Sequence, residues 1–231
     1  MKEFFYCECK ISRNNAWFIV LNELLTPELI YTTQMAQDYA LRNKNKIIIN
    51  AGLFNTRTSE PNGQLIIQNK IIGIDAVVES DMGAPIGANE CYPLIIDDGK
   101  MFVASTNRLS DKNEPDILEK YKFAVCGWGN VIEDGKDAHI YDYEIRWGKD
   151  SKARQVVGYL RDGRTFILTC QKAYYKDIVA FLLKNEAMFA YSLDGGKSTK
   201  LFINGEQING FCFGYKGRKY IPTLLQWGLN I

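Results

Sequence analysis

Alternating apolar and polar residues recur in short runs along most of the chain, and this pattern predicts a strand-rich fold. Residues 3–11 and 16–21 alternate or run apolar on either side of Arg13-Asn14-Asn15, which predicts an N-terminal hairpin. Later apolar runs are separated by Asp-Gly and Asn-Gly pairs, which are strong hairpin signals because these residue types accept a positive φ. Four of these pairs are Asp98-Gly99, Asp134-Gly135, Asp162-Gly163 and Asn204-Gly205.

Two segments have the apolar spacing of helices. The first is predicted to begin at Thr26-Pro27-Glu28, which supplies a capping hydroxyl, a proline at the first helical position and an acid in the first turn. An apolar stripe follows this start and reaches Ala40. The second helix is predicted from about residue 174 to residue 187. Residues 106–122 are predicted to form a loop with a short helix opened by Pro115-Asp116.

Together these elements predict an α+β fold. We expect a single domain over residues 1–231, with a curved, largely antiparallel mixed sheet and helices packed on it. No low-complexity linker and no exact repeat divides the sequence, and its length allows one large domain.

The composition is that of an ordinary soluble globular protein, with 46% hydrophobic and 24% charged residues. The formal net charge of +1 argues against a dedicated nucleic-acid surface. No run of about 18 apolar residues exists, so the sequence predicts no membrane span. The start of the chain lacks the apolar core of an export signal, which favours a cytoplasmic location, with association to a virion as the other option. Nothing in the sequence indicates an oligomeric state.

The cysteines and the histidine argue against two kinds of site. The six cysteines are scattered, and without an export signal we expect them to be reduced, with no disulfide. No Cys-x-x-Cys pair exists and His139 is the single histidine, which argues against a zinc site. The single histidine also weakens any mechanism that needs a Ser-His or Cys-His pair.

Residues 191–204 form the most distinctive stretch of the chain. An apolar run ends at Asp194, the pair Gly195-Gly196 lets the backbone turn, and a second apolar run, predicted to be a strand, follows. Ser198, Thr199 and the local N–H groups could donate to an anion, whereas turn statistics favour a plain strand connection. A Walker loop is excluded, because that pattern requires a glycine where Tyr191 stands.

A second strand exit follows the apolar run at residues 47–49. The sequence there is Asn50-Ala51-Gly52-Leu53-Phe54, with small residues and an amide at the end of a short buried strand. Asn50 could aim its amide into a cleft, since ligand contacts are common at strand ends. The alternative is a structural turn.

These segments, in this order, resemble the phosphodiester glycosidases, relatives of the enzyme that uncovers mannose 6-phosphate by removing N-acetylglucosamine from its phosphodiester. Residues 50–54 are similar to the family's Asn-Ala-Gly-Phe-Phe box. Arg154, followed by Val156-Val157-Gly158 and Asp162-Gly163-Arg164, resembles its Arg-Thr-Ala-x-Gly, strand, Asp-Gly-Arg segment. Residues 193–199, with Asn204-Gly205, resemble its Leu-Asp-Gly-Gly-Gly-Ser-Ser/Thr segment and following Asn-Gly. The likeness covers roughly residues 26–230 and is strongest over residues 45–210.

The sequence departs from the family pattern at three positions. Leu53 replaces an aromatic residue, Gln155 replaces the threonine after the arginine, and Lys197 replaces the third glycine. A lysine in the glycine turn could add a phosphate contact or mark a changed substrate. Arg218 is matched to the family's arginine near the C-terminus.

The resemblance implies cleavage of a sugar C1–O bond whose leaving group is a phosphate. Arg154 would gather charge on that phosphate, and Asp194 would stabilise or attack an oxocarbenium-like sugar, serve as base for water, or only anchor the turn. Asn50 would hold a sugar hydroxyl or a phosphate oxygen. The expected substrate contacts are Gly52, Gly195, Gly196, Lys197, Ser198, Trp128 and Arg218.

The residues themselves leave other interpretations open. Without the motif, a surface ion pair would be the ordinary role of Arg154, and Trp128 would be an ordinary core aromatic rather than a platform for a sugar. We assign no cofactor and no metal, although Asp97-Asp98 and Asp194 could supply oxygen ligands to a divalent cation.

The expected partner is a small-molecule or glycan phosphodiester. The alternative function is a non-catalytic module on the same scaffold that binds a glycan or a nucleotide-like ligand, in a viral or cell-surface assembly. Lys197 and Gln155 favour the binding module, because they alter motif positions. Retention of Asn50, Arg154 and Asp194 favours the enzyme.

Overall fold

A computed structural model describes residues 4–22, 26–54, 58–72, 78–79, 85–86, 92–104, 120–138, 151–210 and 220–229. In these residues the strands form three larger sheets and a two-stranded ribbon, and every paired strand is antiparallel to its neighbour. The ribbon consists of β7 (Val78–Glu79) and β8 (Pro85–Ile86).

The central sheet has seven strands. Their order is β1 (Phe4–Ile11), β2 (Asn14–Leu21), β15 (Thr165–Ala173), β14 (Lys152–Leu160), β16 (Ala187–Ser192), β12 (Gly129–Glu133) and β13 (Lys136–Asp137).

Two five-stranded sheets complete the β structure. The second sheet has the order β10 (Lys100–Val103), β9 (Leu94–Asp97), β11 (Phe123–Val125), β5 (Leu65–Ile67) and β6 (Lys70–Ile71). The third sheet has the order β18 (Glu206–Gln207), β17 (Leu201–Ile203), β4 (Lys46–Asn50), β19 (Thr223–Gly228) and β3 (Glu28–Tyr31).

The main hydrophobic core lies between the sheets. One face of the central sheet, with Ile19, Val157 and Ile167, packs against apolar residues of the second and third sheets such as Leu94 and Ile49. The opposite face of the central sheet is covered by helix α2 (Tyr175–Lys184). Helix α1 (Ala36–Arg42) covers the outer face of the third sheet.

The predicted α+β class, with a mixed sheet and packed helices, is wrong. The strand ladders are antiparallel, and α1 and α2, the two α-helices of the described residues, are only 7 and 10 residues long. Each helix covers one outer sheet face, whereas the largest core is made by sheets packing on sheets. The fold is therefore mostly β.

The hairpin predictions are confirmed. The turns at Asp98-Gly99, Asp134-Gly135 and Asn204-Gly205 have positive φ at both residues, as type I′ turns require. The turn of the N-terminal hairpin lies at Ser12-Arg13, with φ of 51° and 66°. The hairpin at Asp162-Gly163 joins β14 to β15.

The second predicted helix is confirmed as α2, but the first begins later than predicted. Residues 28–31 form strand β3, which pairs with β19, and the fully buried Leu29 contributes to the main core. Gln226 also donates its side-chain amide to the Glu28 carboxylate at 2.6 Å. Tertiary pairing therefore overrides the local helix signals at Thr26-Pro27-Glu28. Of the loop predicted at 106–122, residues up to 119 lie outside the described residues.

Candidate functional site

Three connections between sheets meet at one place. Residues 50–54 leave β4 of the third sheet, and residues 126–128 join β11 of the second sheet to β12 of the central sheet. Residues 192–196 leave β16 of the central sheet on the way to β17 of the third sheet. We call these three segments the strand-exit junction.

Main-chain hydrogen bonds close the strand-exit junction into a ring. In each bond a main-chain N–H of one segment donates to a main-chain carbonyl of the next. The bonds run from Leu53 to Cys126 (2.9 Å), from Trp128 to Ser192 (2.7 Å) and from Asp194 to Ala51 (2.9 Å). Because each segment is bonded to both of the others, the ring brings two of the three predicted motifs together.

A tyrosine hydroxyl adds a further link inside the ring. The Gly127 N–H donates to the Tyr191 hydroxyl at 2.8 Å, and that hydroxyl donates to the Tyr92 carbonyl at 3.0 Å. A Cβ on Gly127 would collide with the Ser192 carbonyl and the Tyr191 ring. Only glycine therefore lets the chain cross β16 at this point.

Asn50 is fully buried, and its side-chain amide bonds to residues on both sides of the glycine turn. Its side-chain N–H donates to the Asp194 carbonyl at 2.7 Å, and its side-chain oxygen accepts from the Lys200 N–H at 2.9 Å. Both ends of the amide are thus used to hold residues 194–200.

Asp194 lies at the exit of β16 and is half-buried. One carboxylate oxygen accepts from the N–H of Gly195 at 2.8 Å. Gly195 packs so closely on β14 that a Cβ there would lie 2.6 Å from the Ala153 carbonyl oxygen. The glycine turn is therefore pressed against the start of β14, where Arg154 stands.

Arg154 belongs to the third motif, and its side chain is buried, with 3% of the residue exposed. Its guanidinium carbon lies 4.1 Å from the centroid of the Tyr175 ring at the start of α2. A surface ion pair, the ordinary role for an arginine, is excluded by this burial. Stacking on an aromatic face leaves the N–H donors of a guanidinium directed within its own plane.

Small residues make room for this arginine. Across the central sheet, Cys9 pairs with Ala16, Ala16 pairs with Cys170, and Cys170 pairs with Arg154.

Burial raises the pKa of the Cys170 thiol, Cys9 raises it further, and the Arg154 charge lowers it by a smaller amount. Cys170 is therefore a neutral packing residue and not a nucleophile.

The predicted substrate contacts occupy different environments. Trp128 is half-buried against the core beside α2, and Ser198 is almost completely buried. Gly52 is buried, and a Cβ there would lie 2.6 Å from Val125. Gly196 has φ of +59°, and a Cβ there would meet nothing within 4 Å. Lys197 beside it is exposed.

The structure shows the surroundings of two residues that depart from the family pattern. Gln155 is buried on the sheet face opposite Arg154, where its side-chain oxygen accepts from Thr169 at 3.1 Å. The side chain that stands in place of the family's threonine is therefore directed into the core. Leu53 is also buried, and its N–H is one of the three ring bonds.

Several other predicted groups are not brought to the junction. Arg218, His139, Cys91 and Cys212 lie outside the described residues. Within the described ranges, no three His, Cys, Asp or Glu side chains are grouped so that they could hold a metal, and Asp97-Asp98 and Asp194 are not brought together there. Cys7, Cys9 and Cys170 are free thiols, and the Cys126 thiol donates to the Gln64 side-chain oxygen at 3.1 Å.

Sequence reasoning missed two residues that contact this site. Tyr175 stacks on Arg154, and its hydroxyl lies 2.7 Å from the Ser192 Oγ, so that either oxygen can be the donor. A signal was available for Ser192, because it stands two residues before Asp194 in the predicted strand, and alternate residues of a strand share a face. No local pattern in the sequence connects Tyr175 with Arg154, because the contact depends on how α2 packs.

The sequence also matches the model of a known protein family. A family model described as phosphodiester glycosidase matches residues 43–225, which is more than half of the chain. The chain belongs to the phosphodiester glycosidase family. The resemblance inferred from the three motifs is therefore confirmed.

Solved structures share the fold of this chain. The catalytic domain of zebrafish N-acetylglucosamine-1-phosphodiester alpha-N-acetylglucosaminidase matches with a TM-score of 0.68 and 13% identity, over 100% of this chain and 83% of that chain. A hypothetical protein from Synechocystis matches with a TM-score of 0.63 and 10% identity, over 97% of this chain and 62% of that chain. Identities this low show the fold alone. A sequence search among curated proteins finds no significant match.

In the part of the chain that the structure describes, no helix is long and apolar enough to cross a membrane.

Proposed function

We propose that this protein hydrolyses a glycosyl phosphodiester by cleaving the bond between the sugar C1 and its oxygen. The substrate class is a small-molecule or glycan phosphodiester, and the reaction releases a free sugar and a phosphate monoester. Family membership supports hydrolysis of this kind, and the relation between Arg154 and Asp194 supports the assignment of roles.

The observation that carries this proposal is the register of β14 and β16. Val156 pairs with Ser192, and the Leu193 N–H donates to the Gln155 carbonyl at 2.9 Å. Continuing this register by one more pair sets Arg154 on β14 opposite Asp194, just beyond the end of β16, and a Cβ built on Gly195 would lie 3.8 Å from the Arg154 Cα. This register supports assigning an arginine and a carboxylate from motifs 40 positions apart to one site.

Arg154 and Asp194 carry opposite charges, and each charge suits the one that develops on one side of the breaking C1–O bond. As C1–O cleaves, the electron pair leaves with the phosphate, and the Arg154 guanidinium stabilises that developing charge. The sugar becomes oxocarbenium-like, and the Asp194 carboxylate stabilises it on the other side. Water supplies the oxygen that C1 gains, and its proton passes to solvent.

The remaining predicted residues have supporting roles in this proposal. Asn50 is a positioning residue, because both ends of its amide hold the turn that carries Asp194. Trp128 offers a partly exposed ring for a sugar face, and Lys197 offers an exposed charge to the phosphate side. A cytoplasmic location remains part of the prediction from the sequence.

The test is to incubate the protein with a panel of sugar-1-phosphodiesters and follow the products by mass spectrometry. We expect release of free sugar from at least one member by the wild type. Asp194→Asn keeps an oxygen that accepts from the Gly195 N–H but removes the charge, so it should fold normally and lose turnover. Full turnover by Asp194→Asn would reduce Asp194 to a turn anchor.

The same panel separates the enzyme from the alternative function. A non-catalytic binding module would retain a diester in equilibrium dialysis and return it intact. Tight binding without any product, by protein whose folding is verified by circular dichroism, would replace the hydrolase proposal with the binding module.

A further inference from the structure

Tyr175 connects the helix layer to both strands that carry the proposed catalytic charges. The residue is fully buried at the first position of α2. Its ring lies against the Arg154 guanidinium, with 4.1 Å between the guanidinium carbon and the ring centroid. Its hydroxyl lies 2.7 Å from the Ser192 Oγ on β16, two residues before Asp194.

These two contacts restrain different degrees of freedom. The ring face restrains the position of the guanidinium, because a cation is attracted to the face of an aromatic ring and not to its edge. The hydrogen bond of the hydroxyl restrains the ring relative to β16. The Tyr175 side chain cannot rotate away without breaking that bond and leaving a buried hydroxyl without it. An arginine side chain has several rotatable bonds, so such restraint is needed to aim its planar fork.

We propose that Tyr175 is a positioning residue that aims the Arg154 fork at the leaving phosphate and sets its spacing from Asp194. This proposal rests on the proposed hydrolase function. In this role Tyr175 acts through Arg154, and the Ser192 hydroxyl acts through Tyr175. The residues next to Arg154 across the sheet, Cys170 and then Ala16, are small.

Positioning predicts a specific kinetic signature. The change Tyr175→Leu should lower kcat by roughly 10- to 100-fold, the scale of a misplaced catalytic group. The loss should be larger on a methyl phosphodiester than on a 4-nitrophenyl phosphodiester of the same sugar, because the better leaving group needs less charge stabilisation. KM should change less than kcat, since the interaction strengthens only as the bond breaks.

The decisive measurement is a double-mutant cycle with Arg154→Lys, which removes the planar fork. In that background Tyr175→Leu should cost much less than it does in the wild type, because no fork is left to aim. Additive losses would overturn the proposal and leave the hydrolase function intact. Tyr159→Phe is the matched control, because it removes a tyrosine hydroxyl from the far end of β14 and should leave kcat unchanged.

A milder pair of variants covers the case in which Tyr175→Leu does not fold. Tyr175→Phe keeps the ring and loses the hydroxyl, and Ser192→Ala removes the partner of the same contact. Each should lower kcat with the same leaving-group dependence, and the double variant should be no worse than the more impaired single variant. Unchanged kcat in both folded variants would overturn the proposal.

If the wild type cleaves no member of the panel of sugar-1-phosphodiesters, the hydrolase function fails, and calorimetry with inorganic phosphate then decides the role of Tyr175. Weaker phosphate binding in Tyr175→Leu, with no further weakening when Arg154→Lys is added, would support positioning. Equal binding by wild type and Tyr175→Leu, or no binding by either, would overturn it.

Discussion

The side-chain amide of Asn50 donates to the main-chain carbonyl of Asp194 over 2.7 Å, and so ties the end of β4 to the end of β16. The second end of the same amide accepts from the Lys200 N–H. One fully buried side chain therefore fixes both sides of the glycine turn that carries the proposed catalytic carboxylate.

Replacing Asn50 by alanine should destabilise the fold, because it leaves the part-buried Asp194 carbonyl and the buried Lys200 N–H without these bonds. We expect a loss of about 1–3 kcal/mol in the free energy of unfolding, measured by urea denaturation. Asn14→Ala is the control, since its amide bonds the Ser12 carbonyl in the N-terminal hairpin and should cost about 1 kcal/mol or less. Equal midpoints for wild type and Asn50→Ala would contradict this role of the Asn50 amide.

Gly195→Ala should separate the glycine turn from β14. The φ of Gly195 is −129°, which alanine adopts without strain, but the added Cβ would lie 2.6 Å from the Ala153 carbonyl oxygen. We expect a destabilisation of about 1–3 kcal/mol from this overpacking and a loss of turnover. Gly228→Ala meets nothing within 4 Å and should leave both quantities nearly unchanged. Full turnover in Gly195→Ala would show that the close approach is not required.

The buried Cys170 thiol should make the fold sensitive to alkaline pH. Its pKa is raised in the folded protein, so the folded state holds its proton at a pH where the unfolded chain has begun to lose it. Below the ordinary thiol pKa of about 8.5, the contribution of this thiol to the free energy of unfolding is fully present. As pH rises above that value, the unfolded chain loses the proton first and the free energy of unfolding declines. Urea midpoints of the wild type should therefore fall more between pH 8 and pH 10 than those of Cys170→Ala. Parallel pH profiles would refute this assignment.

Arg154→Lys keeps the charge but loses the planar fork, so it tests the proposed role in leaving-group stabilisation. We expect a roughly 10- to 1000-fold loss in kcat in a folded protein, by comparison with the loss of one preorganised donor. The loss should shrink for a diester with an intrinsically better leaving group, and Arg154→Ala should be worse on both substrates. Unchanged turnover in folded Arg154→Ala would remove Arg154 from the site.

Local signals in the sequence predicted those parts of the fold that local chemistry determines. The hairpin turns were predictable because Asp-Gly and Asn-Gly pairs accept positive φ at both turn positions, as at Asn204-Gly205. Helix α2 was predictable from its apolar face. The start of α1 was not, because the pairing of β3 with β19 involves residues nearly 200 positions apart.

The fold class was missed for a related reason. Both helices were expected to pack on one mixed sheet, but antiparallel sheets bury each other and leave the helices on outer faces. At the site, the ordered motifs predicted the family, which is confirmed, because short polar and glycine-rich segments are visible in sequence. The contacts of Arg154 with Tyr175, and of Tyr175 with Ser192, depend on helix packing and leave no pattern in the sequence.

The central claim, that the sugar C1–O bond breaks, is tested most directly by hydrolysis in water enriched in ¹⁸O. If water adds to C1, the label enters the released sugar and the phosphate monoester remains unlabelled. Mass spectrometry of both products from a diester that the wild type cleaves should therefore find ¹⁸O in the sugar alone. Label in the phosphate product would show cleavage of the P–O bond and would contradict the glycosidase mechanism.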